Sequence, residues 1–139
     1  MSQAAVDLLL CGYRAFVAGD LEAIESMLDP EVEWIGVGEV AAIADRADVL
    51  DILRDRVAED YHVTVDRCIG VGERVVVSMR FSRVETDPTD ERPLQSRRYY
   101  LVGRYAAIVT TRDGHVTRVE EHPHLAAALA AVGLEDENP

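Results

Sequence analysis

The chain contains no lysine, and all 14 of its basic residues are arginine. Schiff-base chemistry on a lysine amine and a phosphate-binding loop built around a lysine are thereby excluded. Cysteine is scarce. Cys11 and Cys68 stand far apart, one in a helical pattern and one in a strand pattern, with no C-x-x-C pair to suggest redox or zinc work, so both read as buried free thiols. No apolar run approaches the length of a membrane span, and the opening residues Met1 to Asp7 lack the basic stretch of a secretory signal. A soluble cytoplasmic protein without membrane contact is expected. Positive charge is also in deficit: 14 basic residues face 26 acidic ones, and the formal net charge of −12 would repel a phosphate backbone. Nucleic acid is therefore not an expected partner. Met1 to Thr64 carries four Arg against fourteen Asp and Glu, whereas Val65 to Pro139 carries ten against twelve, so most of the excess acid lies in the first half.

What is present suffices for one domain. A chain of 139 residues that is 48% hydrophobic should bury roughly 68% of its unfolded surface. From Gln3 to Ala18 the residues Val6, Leu9, Leu10, Tyr13, Phe16 and Val17 recur at helical steps. Gly19-Asp20 ends that helix and offers Asp20 as the cap of a short second one, Leu21 to Leu28, closed by Asp29-Pro30. Val32 to Val37 reads as a strand, and Asp45 can cap a third helix with the stripe Val49, Leu50, Leu53 and Val57. Tyr61 to Ile69, Arg74 to Glu85, Arg97 to Thr111 and His115 to Glu121 are rich in β-branched and aromatic residues and predict an antiparallel meander. Thr86 to Ser96, with Pro88 and Pro93, reads as a mobile rim loop. Leu125 to Val132 predicts a short closing helix stopped by Gly133. Residues 1–134 form one expected domain and 135–139 a disordered tail.

This order, together with Tyr13-Arg14-Ala15-Phe16-Val17-Ala18-Gly19-Asp20-Leu21, Met27-Leu28-Asp29-Pro30-Glu31-Val32-Glu33-Trp34 and Asp113-Gly114-His115-Val116, resembles the nuclear-transport-factor-2-like family and its SnoaL-like domains over about Ala5 to Gly133. The resemblance implies an α+β fold in which a cone-shaped, strongly curved antiparallel sheet holds the N-terminal helices on its concave side around one pocket. It also implies a homodimer through the outer sheet face, with which valines on both faces of the strands are consistent. The family includes isomerases, cyclases, epoxide hydrolases and plain binding modules.

Counting along the chain tests these chemistries. The three acid/base positions of a ketosteroid isomerase fall on Gly12, Gly36 and Ala106, none of which can exchange a proton, so that activity is not expected. The acid/base position ahead of the closing helix in SnoaL-like cyclases is His124, whose imidazole can both take and give a proton. The epoxide-hydrolase pair falls on Arg80-Phe81-Ser82, and its literal lookalike Arg83-Val84-Glu85 needs a register slip. Arg80 and Arg104 interrupt apolar strands. If they face inward they suit a carboxylate or enolate oxygen, with His124 as proton partner; if Val75, Val77, Met79 and Phe81 face inward instead, Arg80 lies outside.

His124, Arg104 and Arg80 are thus the catalytic candidates. Tyr13, Phe16, Trp34, Leu53, Ser82, Tyr100, Val102, Ala106 and His122 are the candidate pocket lining. His122 and His124 lack an assignable third ligand, so neither a metal nor a cofactor is expected. The expected role is binding of a small, apolar, oxygen-bearing molecule, either with cofactor-free isomerisation, cyclisation, dehydration or hydrolysis, or as a non-catalytic ligand-binding or interaction domain.

Overall fold

The computed structural model describes residues 2–36, 43–58, 61–84 and 99–134. The opening helix α1 (Ser2–Ala18) stops where Gly19 takes a φ of 72°. Its N–H donates to Phe16 O at 3.0 Å while the Asp20 N–H donates to Ala15 O at 2.8 Å. These two bonds satisfy the last carbonyls of α1, and glycine carries the left-handed turn without a Cβ penalty. The Asp20 carboxylate then accepts from the Ala23 N–H at 3.1 Å and starts α2 (Leu21–Met27).

The first strand, β1 (Leu28–Ile35), begins earlier than the sequence pattern suggests. Pro30 is tolerated because the pairing register shifts between Leu28 and Glu33, a stretch in which no ladder bond is asked of it. A two-residue strand β2 (Ile43–Ala44) follows, and then α3 (Arg46–Ala58), where the Asp45 carboxylate accepts from the Ala47 N–H at 2.7 Å. The meander is β3 (Tyr61–Val71), β4 (Arg74–Val84), β5 (Tyr99–Arg112) and β6 (His115–His122), closed by α4 (Leu125–Ala131). Asp113 and Gly114, at φ 53° and 79°, make the tight β5–β6 turn.

The strands form one curved, unclosed sheet in the order β2-β1-β6-β5-β4-β3. The four meander strands pair antiparallel, but β1 lies parallel to β6, so the sheet is mixed. On its inner face Val75, Val77, Met79 and Phe81 of β4 and Ala107 and Val109 of β5 pack with Leu9, Phe16, Ile24, Val49 and Leu53 from α1, α2 and α3. The outer face has its own core. Val76, Ala106 and Ile108 pack against Ala128 and Leu129 of α4, with Val76 and Ala106 fully buried. Valines on both faces of β4 therefore answer to two helical layers within one chain.

The end of α4 repeats the device that ends α1. Gly133 (φ 78°) donates to Ala130 O at 3.1 Å and Leu134 to Leu129 O at 2.9 Å. Residues 135–139 and the expected rim loop Thr86 to Ser96 lie outside the described residues. No helix among the described residues is long and apolar enough to cross a membrane. Cys68 is partly buried, and burial pushes its thiol above the ordinary value. Cys11, against expectation, is exposed on α1, beside Arg14 at 3.8 Å, because the helix turns Leu9 and Phe16 rather than Cys11 to the core.

Candidate functional site

Between α1, α2, α3 and the inner face lies a cavity of about 90 Å³. Phe16, Leu53, Val109, Val119, Met27 and Met79 are among its wall, and four lining residues carry polar side-chain groups, Tyr13, Trp34, Arg56 and Glu121, although the surface exposed to the cavity is almost wholly apolar. Glu121 reaches it because β6 alternates. Val119 faces inward, so Glu121 does too, while Glu120 and His122 turn outward. Trp34 on β1 pairs with Val119, which brings its indole Nε1 to donate to Glu121 Oε1 at 2.8 Å. Arg56 sits on the Val49–Leu53 face of α3, its guanidinium carbon 5.9 Å from the centre of the Phe81 ring, and Phe81 in turn meets Tyr105 edge to face at 5.3 Å.

The Tyr13 hydroxyl donates to Met79 Sδ at 3.3 Å. Sulfur is a weak acceptor, so this donor would lose little by exchanging it for a ligand oxygen. Burial pushes the hydroxyl well above its ordinary value near 10, the negative charges of Glu121 and Cys68 add to the rise, and Arg56 opposes it. Tyr13 is therefore a donor, not a phenolate, at any physiological pH.

Tyr13, Phe16, Trp34 and Leu53 stand on this wall; other candidates from the sequence do not. Arg80, Arg104 and His124 come together, but in a separate depression on the outer face. Strand parity is the reason: Met79 and Phe81 point inward, so Arg80 points outward, and Arg104, its direct partner on β5, follows. The expected opening of His124 onto the inner cavity is corrected accordingly: its Nδ1 accepts from the Ala127 N–H at 3.1 Å and caps α4.

Ala106 shares the outward parity and is buried under α4, not in the pocket. His122 lies outside as well, its Nε2 3.1 Å from Glu120 Oε2. Ser82, paired with His62 on β3, is not on the cavity wall either. The side chains of Tyr100 and Val102, and Glu85 altogether, lie outside the described residues.

Sequence reasoning missed Glu121 and Arg56. Both were within reach of periodicity, since Glu121 is two residues past Val119 on a strand and Arg56 three past Leu53 on a helix. Gly12 was singled out only for what it cannot do. It lines the cavity, and a Cβ there would stand 3.3 Å from Met27 Cε.

A family model described as a SnoaL-like domain matches residues 12–119. No curated protein sequence matches the chain significantly. Among solved structures, TerC co-crystallised with polyporic acid is 22% identical, with 94% of this chain and 97% of that one covered and a TM-score of 0.65. A putative polyketide cyclase from Xanthomonas campestris pv. campestris is 23% identical over 94% of this chain and 98% of that one, with a TM-score of 0.63. An LEH-like epoxide hydrolase from M. tuberculosis is 14% identical over 95% and 96%, with a TM-score of 0.66. At these identities the likeness is one of fold.

Proposed function

The chain belongs to the SnoaL-like domain family, and on that premise we propose that its inner cavity binds a small, largely apolar molecule carrying an oxygen atom, on which Glu121 and Tyr13 perform a cofactor-free proton transfer. The observation that carries this reading is that Glu121, Tyr13 and Trp34 line one cavity whose exposed wall is almost wholly apolar, with the indole N–H holding the carboxylate. Trp34 occupies Glu121 Oε1, which fixes the carboxylate and leaves Oε2 to take a proton from the ligand. Tyr13 donates to the ligand oxygen on which negative charge develops. Isomerisation, cyclisation and dehydration can each begin in this way; in hydrolysis the carboxylate would instead take the proton of an attacking water. Structural relatives that carry, or are named for acting on, small organic molecules favour the same ligand class.

Volume sets the size of the ligand. An apolar cavity of about 150 Å³ takes up benzene, so a space of about 90 Å³ accepts a body of ring size only if Met27 and Met79 shift. Unbranched thioethers suit that task. The cavity lining does not include Val76, Ala106 or Ile108 of the outer face, so a homodimer through that face would leave it intact; sedimentation equilibrium tests the pairing.

A thermal-shift screen of small cyclic ketones, terpenoid epoxides and polyketide fragments, followed by turnover assays on each hit, tests the proposal. Hits should lose binding in Leu53→Trp, which plugs the cavity, and Glu121→Gln should keep binding while turnover falls by about 10²-fold or more. Hits indifferent to Leu53→Trp would defeat the reading. Binding without turnover in the parent chain would assign the cavity to the second reading, a non-catalytic ligand-binding domain, which the engagement of both Tyr13 and Glu121 by protein partners favours.

A further inference from the structure

Arg80 on β4 and Arg104 on β5 are direct cross-strand partners. Like charges placed opposite each other across a ladder repel. The pairing is not explained by an abundance of positive charge, because the chain has no lysine and a net charge of −12. Asp66 neutralises one of the two: Arg80 Nε lies 3.0 and 3.1 Å from its carboxylate oxygens and Nη2 lies 2.9 Å from Oδ1. Arg104 is exposed and has no hydrogen-bond or ion-pair partner among the described residues. Two guanidinium groups against one carboxylate leave one positive charge unmatched.

That charge borders a depression of about 420 Å³ on the outer face, where Ser78 and His124 join the two arginines and Asp66. Ser78 brings a hydroxyl. Because His124 Nδ1 accepts from the Ala127 N–H, the neutral ring carries its proton on Nε2, which makes that nitrogen a donor. Donors thus outnumber acceptors around an uncompensated guanidinium.

We propose that this depression is a second binding site, separate from the inner cavity, for a small oxyanion, a phosphate or carboxylate group. Arg104 is its main ligand, and Arg80, Ser78 and His124 complete the set of donors. The planar fork of arginine holds two oxygens of such a group at once, and a bound anion removes the cross-strand repulsion. Asp66 competes with the anion for Arg80, so its removal strengthens binding.

The test titrates the full chain with inorganic phosphate and, separately, with succinate, each against sodium chloride of matched ionic strength, following melting temperature and heat of binding. At least one of the two anions should raise the melting temperature beyond the chloride control, with a dissociation constant of about 1 mM or tighter. The anion that acts at lower concentration names the class. Arg104→Gln should weaken that binding roughly tenfold or more, Asp66→Asn should tighten it, and Arg112→Gln, an exposed arginine elsewhere on β5, should leave it unchanged. No response above chloride, or equal responses in parent and Arg104→Gln, overturns the site. So does an anion-independent dimer that Arg104→Gln dissociates, which would give the arginine to an acidic group of a second copy. Because none of these residues lines the inner cavity, failure here leaves the reading of Glu121 and Tyr13 untouched.

Discussion

Trp34 and Glu121 come from adjacent parallel strands, and the 2.8 Å bond from indole Nε1 to Oε1 ties the first strand of the chain to the last at the wall of the cavity. Trp34 is the only tryptophan, so tryptophan fluorescence reports on the surroundings of this one indole. A ligand entering the cavity should shift the emission of the parent chain, and an anion at the outer depression should not. Trp34→Phe keeps the apolar wall but frees the carboxylate. Loss of a bond to a charged group that is only partly buried should cost about 1–2 kcal/mol in urea denaturation. A variant as stable as the parent would show that Glu121 is held by something else.

Tyr13 makes a prediction at alkaline pH. Its folded value is raised, first by burial and then by the charges of Glu121 and Cys68, so the folded chain keeps this proton after the unfolded chain has released it. The stability this contributes is complete below the ordinary value near 10 and is lost as the pH rises above it. Between pH 9 and pH 11 the parent should therefore lose more stability than Tyr13→Phe, read as the shift of the urea midpoint. At neutral pH the two should differ by less than about 1 kcal/mol, since the hydroxyl gives up only a weak bond to sulfur. Parallel losses in both chains would contradict the desolvated environment.

Glu120 makes the opposite prediction at acid pH. Burial alone would raise its carboxyl, but the hydrogen bond from His122 and the nearby Arg118 guanidinium, 3.1 Å away, outweigh burial and hold it below the ordinary value. A depressed folded value stabilises the fold above the unfolded carboxylate range and stops doing so as the pH falls through the folded value. Glu120→Gln should thus be less stable than the parent at neutral pH, with the gap closing as the pH is lowered below about 4. A gap that stays constant down to acid pH would assign the loss to packing.

The elements were readable because local chemistry decides them. Gly19-Asp20 ends one helix and caps the next through bonds among neighbouring residues, and Asp113-Gly114 makes its turn in the same way. The faces were harder to read. Arg80 and Arg104 interrupt apolar runs, and the sequence alone leaves both faces open to them; α4, folding back over Val76, Ala106 and Ile108, makes the outer face apolar as well and removes the contrast on which period-two reasoning depends. The site was displaced for the same reason. His124 was weighed for its chemistry at a position before the last helix, whereas its Nδ1 serves as that helix's cap, and the inward carboxylate lies three residues earlier.

Gly12 separates stability from function at a single atom. Glycine inside a helix costs roughly 0.5–1 kcal/mol relative to alanine, and Gly12 lies well within α1. A Cβ at this position would stand 3.3 Å from Met27 Cε, a tight contact, but with the free end of a flexible side chain that can give way. Gly12→Ala should therefore raise stability by up to about 1 kcal/mol in denaturant unfolding. The methyl group and the displaced methionine both intrude on a cavity of about 90 Å³, so the same variant should weaken any ligand that occupies it, and Gly12→Leu should weaken it further. If Gly12→Ala binds cavity ligands as tightly as the parent, the ligand lies elsewhere; if it is less stable, Met27 is held too firmly to move and the cavity is more rigid than its thioethers imply.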